Sequence, residues 1–498
     1  MTTIHFGTDG WRGVIAEDFT FSAVRLVAAA IALTVKDEHP EQSQPQLLVG
    51  HDTRFLSPEF ARAAAEAMAR HGLAVSLTSA YAPTPAFSYA VVHRGAAGAV
   101  VVTASHNPPV YNGIKFKSSY GGSAPIAFTS KVEERIQRLE ADGGSSVAAR
   151  PSPPIEAFDA REPWLDRLET LVDLRSIGAG GVNAALDVMY GAGQGMLSGR
   201  LRRAGCQVRE LHAELNPGFG GLHPEPIPAN LRPLIDLMTT WAASPRVGFA
   251  FDGDSDRLAP VDETGRVLTP HETLALLVRH LTRSRGWRGT IVKSLNIGRM
   301  VDREAAALGL PVVTTPVGFK HIAEAMLSHD AIVGGEESGG FAVRGHIPER
   351  DPALIALLLM EYVAAAKKSL GALLREMEAE HGPHRYDRLD LRLPSLAARD
   401  EVVDGLMRHP PDQIRGSHVV SVNALDGIKL TLNDEAWVML RASGTEPLLR
   451  IYAEAATESK VQGLLAWGRE VAEGRARTAQ HPETKDEKAK PRSPGEPR

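Results

Sequence analysis

The sequence holds a single cysteine, Cys206, among 498 residues. One thiol excludes a disulfide framework and any cysteine-built zinc module. Neither sign of charge dominates: 55 Lys and Arg stand against 60 Asp and Glu, a net −5. No bulk field marks a nucleic-acid binder, so no nucleic acid is expected as a partner. Long apolar runs are also missing. The longest, near residues 353–366, is interrupted by Glu361 and is too short to span a bilayer, so no membrane partner is expected. GxxxxGK[ST] does not occur, which disfavours a P-loop ATPase or kinase. The opening MTTIHFGTDGWRG shows no basic n-region and no apolar h-region, so a signal peptide is not expected and the cytoplasm is the expected compartment.

What is present is 43% hydrophobic and 23% charged, the balance of a soluble globular chain with material for several cores. At roughly 150 residues per domain the length predicts three to four domains. Strand-like and helix-like runs alternate in three stretches. QLLVGHD (46–52) reads as a buried strand, and SPEFARAAAEAMARHG as the helix after it, with Ser57 as N-cap, Pro58 at N1 and Gly72 at C′. LAVSLTSA and AGAVVVTA (97–104) read as further strands, so βαβ units and parallel pairing are expected. The pattern recurs in VNAALDVMY to RVGFAF, and again in TLALLVRHLTRS to AIVGG. After about Glu380 the strand-like runs lie closer together, which predicts a smaller α+β domain. The expected divisions are 1–150, 151–258, 259–378 and 379–473, with a tail from 474 to 498. That tail has no Val, Ile, Leu, Met or aromatic residue and is expected to be disordered.

Five segments could carry chemistry. In VVVTASHNPPVYNGIKFK (100–117) an apolar strand stops at Ser105, and ligands of open α/β sheets bind beyond such strand ends. A hydroxyl there suits a nucleophile or phosphoryl carrier, although Ser-His-Asn-Pro is equally good turn chemistry. Lys115 follows ten residues later. In FAFDGDSDRLAPVD (249–262), Asp252, Asp254 and Asp256 alternate; on extended backbone they would face one way and call for Mg²⁺ or Ca²⁺. An EF-hand is excluded because Arg257 stands where the sharp turn needs Gly and a strand-like run precedes the motif. In WVMLRASGTEPLLRIYAE (437–454), Arg441, Ser443, Gly444 and Thr445 could cradle a phosphate dianion or form a plain hairpin turn. The Gly-rich loop VGGEESGGFAVRGHIPERD (333–351) brings Glu336 and Ser338, suited to sugar hydroxyls, or serves as a linker. Near the start, FGTDGWRG places Arg12 among three glycines, where it could meet a phosphate. A sixth run, Gly191-Ala192-Gly193-Gln194-Gly195, mimics a dinucleotide fingerprint but misplaces the third glycine and reads as a tight strand-to-helix turn.

Together, and in their order along the chain from Phe6 to about Glu454, the five segments resemble the α-D-phosphohexomutase family, most of all its bacterial-type phosphoglucomutase branch. The resemblance implies a heart-shaped arrangement of three related α/β domains with mixed sheets and a smaller C-terminal α+β domain. It implies that Ser105 is phosphorylated, and that Ser105, Asp252, Asp254 and Asp256 hold Mg²⁺. Arg257 would face the phosphoryl group, Glu336 and Ser338 would bind sugar hydroxyls, and Arg441, Ser443, Gly444 and Thr445 would hold the distal phosphate. Arg12 and Lys115 match basic residues near the reacting groups, with Lys115 as candidate general base. His346 in GHIPERD resembles a catalytic-site histidine and Lys320 in VGFKHI a ligand-contacting lysine. Pro352 departs from the glycine that many relatives carry.

The implied reaction interconverts glucose 1-phosphate and glucose 6-phosphate through a phosphoserine and glucose 1,6-bisphosphate, which is both intermediate and activator. GEESGG favours glucose phosphates; phosphomannomutase or bifunctional activity is the alternative. An inactive sugar-phosphate-binding homologue and a phosphatase using the same serine and metal are the other readings. The expected partner is a hexose phosphate, and the chain a monomer or homodimer.

Overall fold

The computed structural model describes residues 4–7, 9–142, 154–444 and 446–480, the last four without their side chains. They form two compact units, Met1–His381 and Gly382–Arg498. In the first unit, chain order begins with β1 (Trp11–Val14), α1 (Phe21–Glu38), β2 (Gln46–His51), α2 (Ser57–Arg70), β3 (Ala74–Thr78), α3 (Thr84–Arg94), β4 (Gly98–Val102), β5 (Tyr111–Ser118), α4 (Ile126–Ala141) and β6 (Glu156–Phe158). Next come α5 (Arg161–Leu171), α6 (Leu174–Ala179), β7 (Asn183–Asp187), α7 (Met196–Arg203), β8 (Val208–Leu211), α8 (Arg232–Thr240), β9 (Arg246–Phe251) and β10 (Leu258–Val261). A third run holds α9 (Pro270–Arg279), β11 (Thr290–Ser294), α10 (Arg299–Ala307), β12 (Val312–Thr315), α11 (Phe319–Ser328), β13 (Ala331–Gly335), β14 (Phe341–Val343), α12 (Pro352–Ala366) and α13 (Leu370–His381).

These runs repeat one topology. The sheet orders are β1-β5-β4-β2-β3-β6, β10-β9-β7-β8 and β12-β11-β13-β14. Each contains a strand flanked by two parallel neighbours, then a fourth strand returning antiparallel beside the third: β4 to β5, β9 to β10 and β13 to β14. The return strand makes the sheets mixed. The turns between third and fourth strands carry Ser105, the three aspartates, and Glu336 with Ser338, so three candidate motifs occupy one topological position. The parallel strands are valine- and leucine-rich and buried on both faces, as βαβ packing requires. One core runs from Phe87 on α3 through Trp164 and Phe249 to Leu358 on α12, joining all three runs.

Local chemistry sets the helix starts. Thr20 caps α1 by accepting the Ala23 N–H at 3.2 Å. α2 corrects the expected cap: Leu56 is its N-cap, and Ser57 lies within the helix and donates to Asp52 Oδ1 at 2.9 Å. Pro352 is the first residue of α12, where a missing N–H goes unnoticed, and Asp351 before it accepts the Leu354 N–H at 3.1 Å. Among the described residues no helix is long and apolar enough to cross a membrane.

On α12, Glu361 accepts from Arg285 Nε at 2.6 Å, meets His280 Nε2 at 3.1 Å and takes the Asp173 N–H at 3.0 Å. Burial would raise its pKa, but the bonds from His280 and Arg285 outweigh it and bring it down to about 2. The depressed folded-state value means that its stabilisation is present above the unfolded carboxyl pKa and is lost as pH falls from about 4.5 toward 2. Glu361→Gln should destabilise by on the order of 2–3 kcal/mol at neutral pH, and the gap to wild type should shrink in thermal melts at about pH 3.

The second unit is described by itself. β15 (Arg385–Arg392), α14 (Leu396–Arg408), β16 (Gln413–Ile414), β17 (Ser417–Asn423), β18 (Ile428–Leu432), β19 (Trp437–Ala442), β20 (Leu448–Ala455) and α15 (Glu458–Gln480) follow in order. The sheet is antiparallel, β15-β20-β19-β18-β17-β16, with α14 and α15 packed on its core. The first residues of the tail expected from Gly474 are helical. α15 runs to Gln480 because good helix formers continue past Gly474 and Ala476 is buried. The remainder, 481–498, lies outside the described residues.

Candidate active site

β4 ends at Val102, and the chain turns through Ser105, whose φ is +53°. A non-glycine residue with positive φ costs about 1–3 kcal/mol and persists only where surroundings enforce it. Here Arg54, from the loop after β2, enforces it. Its Nη2 donates to the carbonyls of Ser105 (2.7 Å) and Asn107 (2.6 Å), and its Nη1 to those of Pro108 (2.9 Å) and Tyr111 (3.0 Å). Asp52 holds the Arg54 guanidinium at 3.3 Å and accepts from Thr103 Oγ1, which in turn receives the Ser105 N–H. The strain is thus distributed over a buried polar network, and the Ser105 hydroxyl is left to donate to Asp252 Oδ2 at 2.8 Å.

The three aspartates converge for a reason other than strand alternation. Residues 252–257 form the turn of the β9–β10 hairpin, which closes with Phe251 opposite Leu258 and puts Ser255 at φ +54°. The carboxylates face inward because the chain bends round them. Gly253 is required there: a Cβ would lie 2.4 Å from the Ser105 carbonyl. The 191–195 run is a supporting turn, since Ala192 N–H donates to the Gly253 carbonyl at 2.9 Å. Asp252 Oδ1 accepts the N–H groups of Asp256 and Arg257 at 2.9 and 3.0 Å. Asp254 Oδ2 accepts from Thr84 Oγ1 (2.6 Å) and Lys115 Nζ (2.8 Å), and Asp256 Oδ2 from the same Nζ (2.7 Å). One oxygen from each of the three acids lies within 4.8 Å of the others, and all three residues are buried. Asp254 Oδ1 and Asp256 Oδ1 are buried without a hydrogen-bond partner. Hard, crowded, partly unsatisfied carboxylate oxygens fit a divalent cation such as Mg²⁺.

Electrostatics separates the three acids. Burial, with the Asp254 and Asp256 charges, holds Asp252 well above the usual carboxylate range. Burial would raise Asp254 too, but the Lys115 ammonium and the Thr84 hydroxyl outweigh it and hold it below that range. Lys115 is desolvated, yet Asp254, Asp256 and Asp9 together raise its pKa. Gripped by these three carboxylates, Lys115 is the counter-charge of the acid cluster. It could give the proton up only if other charges neutralised those acids.

A further layer joins the third domain to this centre. Arg350 meets Asp256 Oδ2 at 3.0 Å, pairs with Asp9, and lies 3.6 Å from Glu336 Oε1. Ser338 Oγ donates to Glu336 Oε1 at 2.6 Å. Gly340 must lack a side chain, because a Cβ would sit 2.4 Å from Arg350 Cδ. Lys117 Nζ donates to Glu349 Oε2 at 2.6 Å. Arg12 Nη1 donates to Asn107 Oδ1 at 2.5 Å, and burial with the neighbouring Arg257 lowers its pKa. Arg257 Nε stands 4.0 Å from Asp256 Oδ1. The first unit therefore links Ser105, Lys115, Arg12, Arg257, Glu336, Ser338 and the three aspartates.

His346 and Lys320 have contacts of their own. His346 Nε2 meets Asp351 Oδ2 at 2.9 Å, which also accepts from Trp164 Nε1, and its ring stacks on Tyr89. Lys320, at the start of α11, lines a small cavity with Asp9, Gly10 and Ser123. In the second unit, Arg441 Nε donates to Asp426 Oδ2 at 2.8 Å, Ser443 N–H donates to the Leu448 carbonyl at 2.8 Å, and Arg399 holds the Ser443 and Glu446 carbonyls. Nothing crowds a Cβ at Gly444. Thr445 lies outside the described residues. Sequence reasoning missed Arg54, Asp9 and Arg350, although all three stand in or beside quoted motifs: HDTR after β2, FGTDG, and GHIPERD.

Residues 3–142, 162–265 and 269–380 match phosphoglucomutase/phosphomannomutase α/β/α domains I, II and III, and residues 408–466 match the C-terminal domain of that family. The chain belongs to the phosphoglucomutase/phosphomannomutase family. Members of this phosphohexomutase superfamily are intramolecular phosphotransferases, and the chain is an enzyme of that class. It is 33% identical to a Frankia casuarinae phosphoglucosamine mutase, over 92% of this chain and 96% of that one. It is 29% identical to a Thermococcus kodakarensis phosphoglucomutase/phosphomannomutase, over 93% and 97%. A solved Thermus thermophilus structure, provisionally named a phosphomannomutase, superposes with a TM-score of 0.83 at 38% identity, covering 95% of this chain and all of that one. Four sheets with three equivalent site turns are thus the phosphohexomutase architecture.

Proposed function

We propose that this phosphohexomutase interconverts glucose 1-phosphate and glucose 6-phosphate, with Ser105 as the phosphoryl carrier and glucose 1,6-bisphosphate as the intermediate. The observation that carries the reading is the Ser105 hydroxyl, held by strained backbone 2.8 Å from a buried carboxylate of the aspartate triplet. Phosphoryl transfer demands positioning and charge neutralisation more than covalent help. Mg²⁺ held by Asp252, Asp254 and Asp256 would supply divalent charge beside the transferring group.

The chain's own residues do the rest. Arg54 fixes the loop that carries the serine. The P–Oγ bond of phosphoserine 105 breaks as a bond forms from phosphorus to the substrate hydroxyl oxygen, and the hydroxyl's proton passes, with Lys115 as the candidate base, to the departing Ser105 Oγ; the reverse transfer, from the other end of the sugar, restores the phosphoserine. Arg12 and Arg257 offer guanidinium charge to the phosphoryl oxygens, and Glu336 with Ser338 accepts and donates to sugar hydroxyls. The 441–445 loop takes the phosphate that does not react. Ser443→Ala should then raise the Michaelis constant about tenfold while changing kcat little, read from steady-state kinetics on the hexose 1-phosphate.

The paired Glu336–Glu337–Ser338 sequence is the ground for placing glucose first, and bifunctional use of mannose phosphates is the alternative. Rates on glucose, mannose, glucosamine and N-acetylglucosamine 1-phosphates, each with Mg²⁺ and a trace of the matching bisphosphate, decide the sugar. Highest kcat/KM on glucose 1-phosphate supports the reading; a preference for glucosamine 1-phosphate overturns its sugar assignment. Product free of inorganic phosphate excludes a phosphatase, and any turnover excludes a mere binding protein.

A further inference from the structure

His106, next to Ser105, lies near two residues from a different domain. Its Nδ1 stands 3.5 Å from Glu225 Oε1, and His223 Nδ1 stands 3.7 Å from Glu225 Oε2. One ligand atom from each of the three lies within 4.8 Å of the others. We propose that His106, His223 and Glu225 form a second metal site, selective for a borderline transition-metal ion of the Zn²⁺ or Co²⁺ class and separate from the aspartate triplet.

Three observations carry it. The donor set is two imidazoles and a carboxylate, which suits Zn²⁺ and its neighbours, whereas the all-carboxylate triplet suits Mg²⁺. His106 Nδ1 is buried without a hydrogen-bond partner, so a ring nitrogen aimed at the carboxylate is left unused. The loop is also built to hold its shape: Asn230 Nδ2 donates to the carbonyls of both His223 (3.0 Å) and Glu225 (2.9 Å), and the intervening Pro224 carbonyl accepts the Gly253 N–H at 3.2 Å. The two imidazoles stand on either side of the carboxylate, with ring centroids 6.1 Å apart. Arg257 Nη1, at 3.8 Å from Glu225 Oε1, is the cation that competes with an ion for that carboxylate. An ion there would fix His106, and with it the residue following the phosphoryl carrier.

The test uses the full chain, stripped with chelator, saturated with Mg²⁺ and titrated with Co²⁺. Mg²⁺ occupies carboxylates and leaves imidazoles alone. The expected result is one Co²⁺ equivalent with intense low-coordinate visible bands, bound about tenfold or more weakly by both His223→Gln and Glu225→Gln, each checked for an unchanged thermal melt. Asp254→Asn should keep those bands, which separates this site from the triplet without reference to activity. The inference is overturned if excess Mg²⁺ abolishes Co²⁺ binding, if the bands are the weak ones of six-coordinate oxygen ligation, or if both loop variants bind Co²⁺ as tightly as wild type.

Discussion

Ser105→Ala is expected to lower turnover by about four orders of magnitude, the scale seen when a nucleophile that acts as a unit with its partners is removed. The fold should survive. The turn is held through backbone carbonyls on Arg54 and the N–H on Thr103, and none of these needs the hydroxyl. The variant loses one hydrogen bond, to Asp252, on the order of 1 kcal/mol. Far-UV circular dichroism and thermal melting should therefore match wild type closely while the coupled mutase assay falls to background. Retention of a tenth of the activity would remove Ser105 from the chemistry.

Asp254→Asn is the second large effect. It takes one negative charge from a cluster in which Lys115 Nζ bridges Asp254 and Asp256. Charge stabilisation at a phosphoryl group by a divalent ion amounts to several kcal/mol, so kcat should fall about a thousandfold and cease to respond to added Mg²⁺. Stability should fall far less, because removing one of three crowded carboxylates relieves repulsion even as a partner of Lys115 is lost. The check is kcat against Mg²⁺ concentration, alongside the melting temperature. A variant that still shows wild-type activation by Mg²⁺ would sink the ligand assignment.

The elements legible in the sequence are those whose burial is simple. β2, β4, β9 and β11 are short apolar runs ending at turn residues, and they stand where the pattern puts them. β5 is the counter-example. It carries Asn112, Lys115 and Lys117 on buried positions, so the site's own charges erase its strand pattern. The aspartate triplet was legible as a set of residues but not as a geometry: alternation on a strand would have aimed the acids together, and a hairpin turn does so instead. Arg54 and Arg350 stand in or beside quoted motifs, but nothing local says what they clamp. An arginine becomes a clamp only when folding brings it four carbonyls, or several acids and a glycine without a side chain. The same holds for Lys115, whose three carboxylate partners are remote in sequence or on another domain.

The central claim is that Ser105 carries and returns a phosphoryl group. The most direct measurement is to treat the purified chain with Mg²⁺ and glucose 1,6-bisphosphate, map phosphorylation by peptide mass spectrometry, then add glucose 1-phosphate and map it again. The account predicts a phosphoryl group on Ser105 that passes to the added sugar, with bisphosphate appearing in equal amount. Phosphorylation at another residue, or a label on Ser105 that the sugar cannot remove, would contradict it.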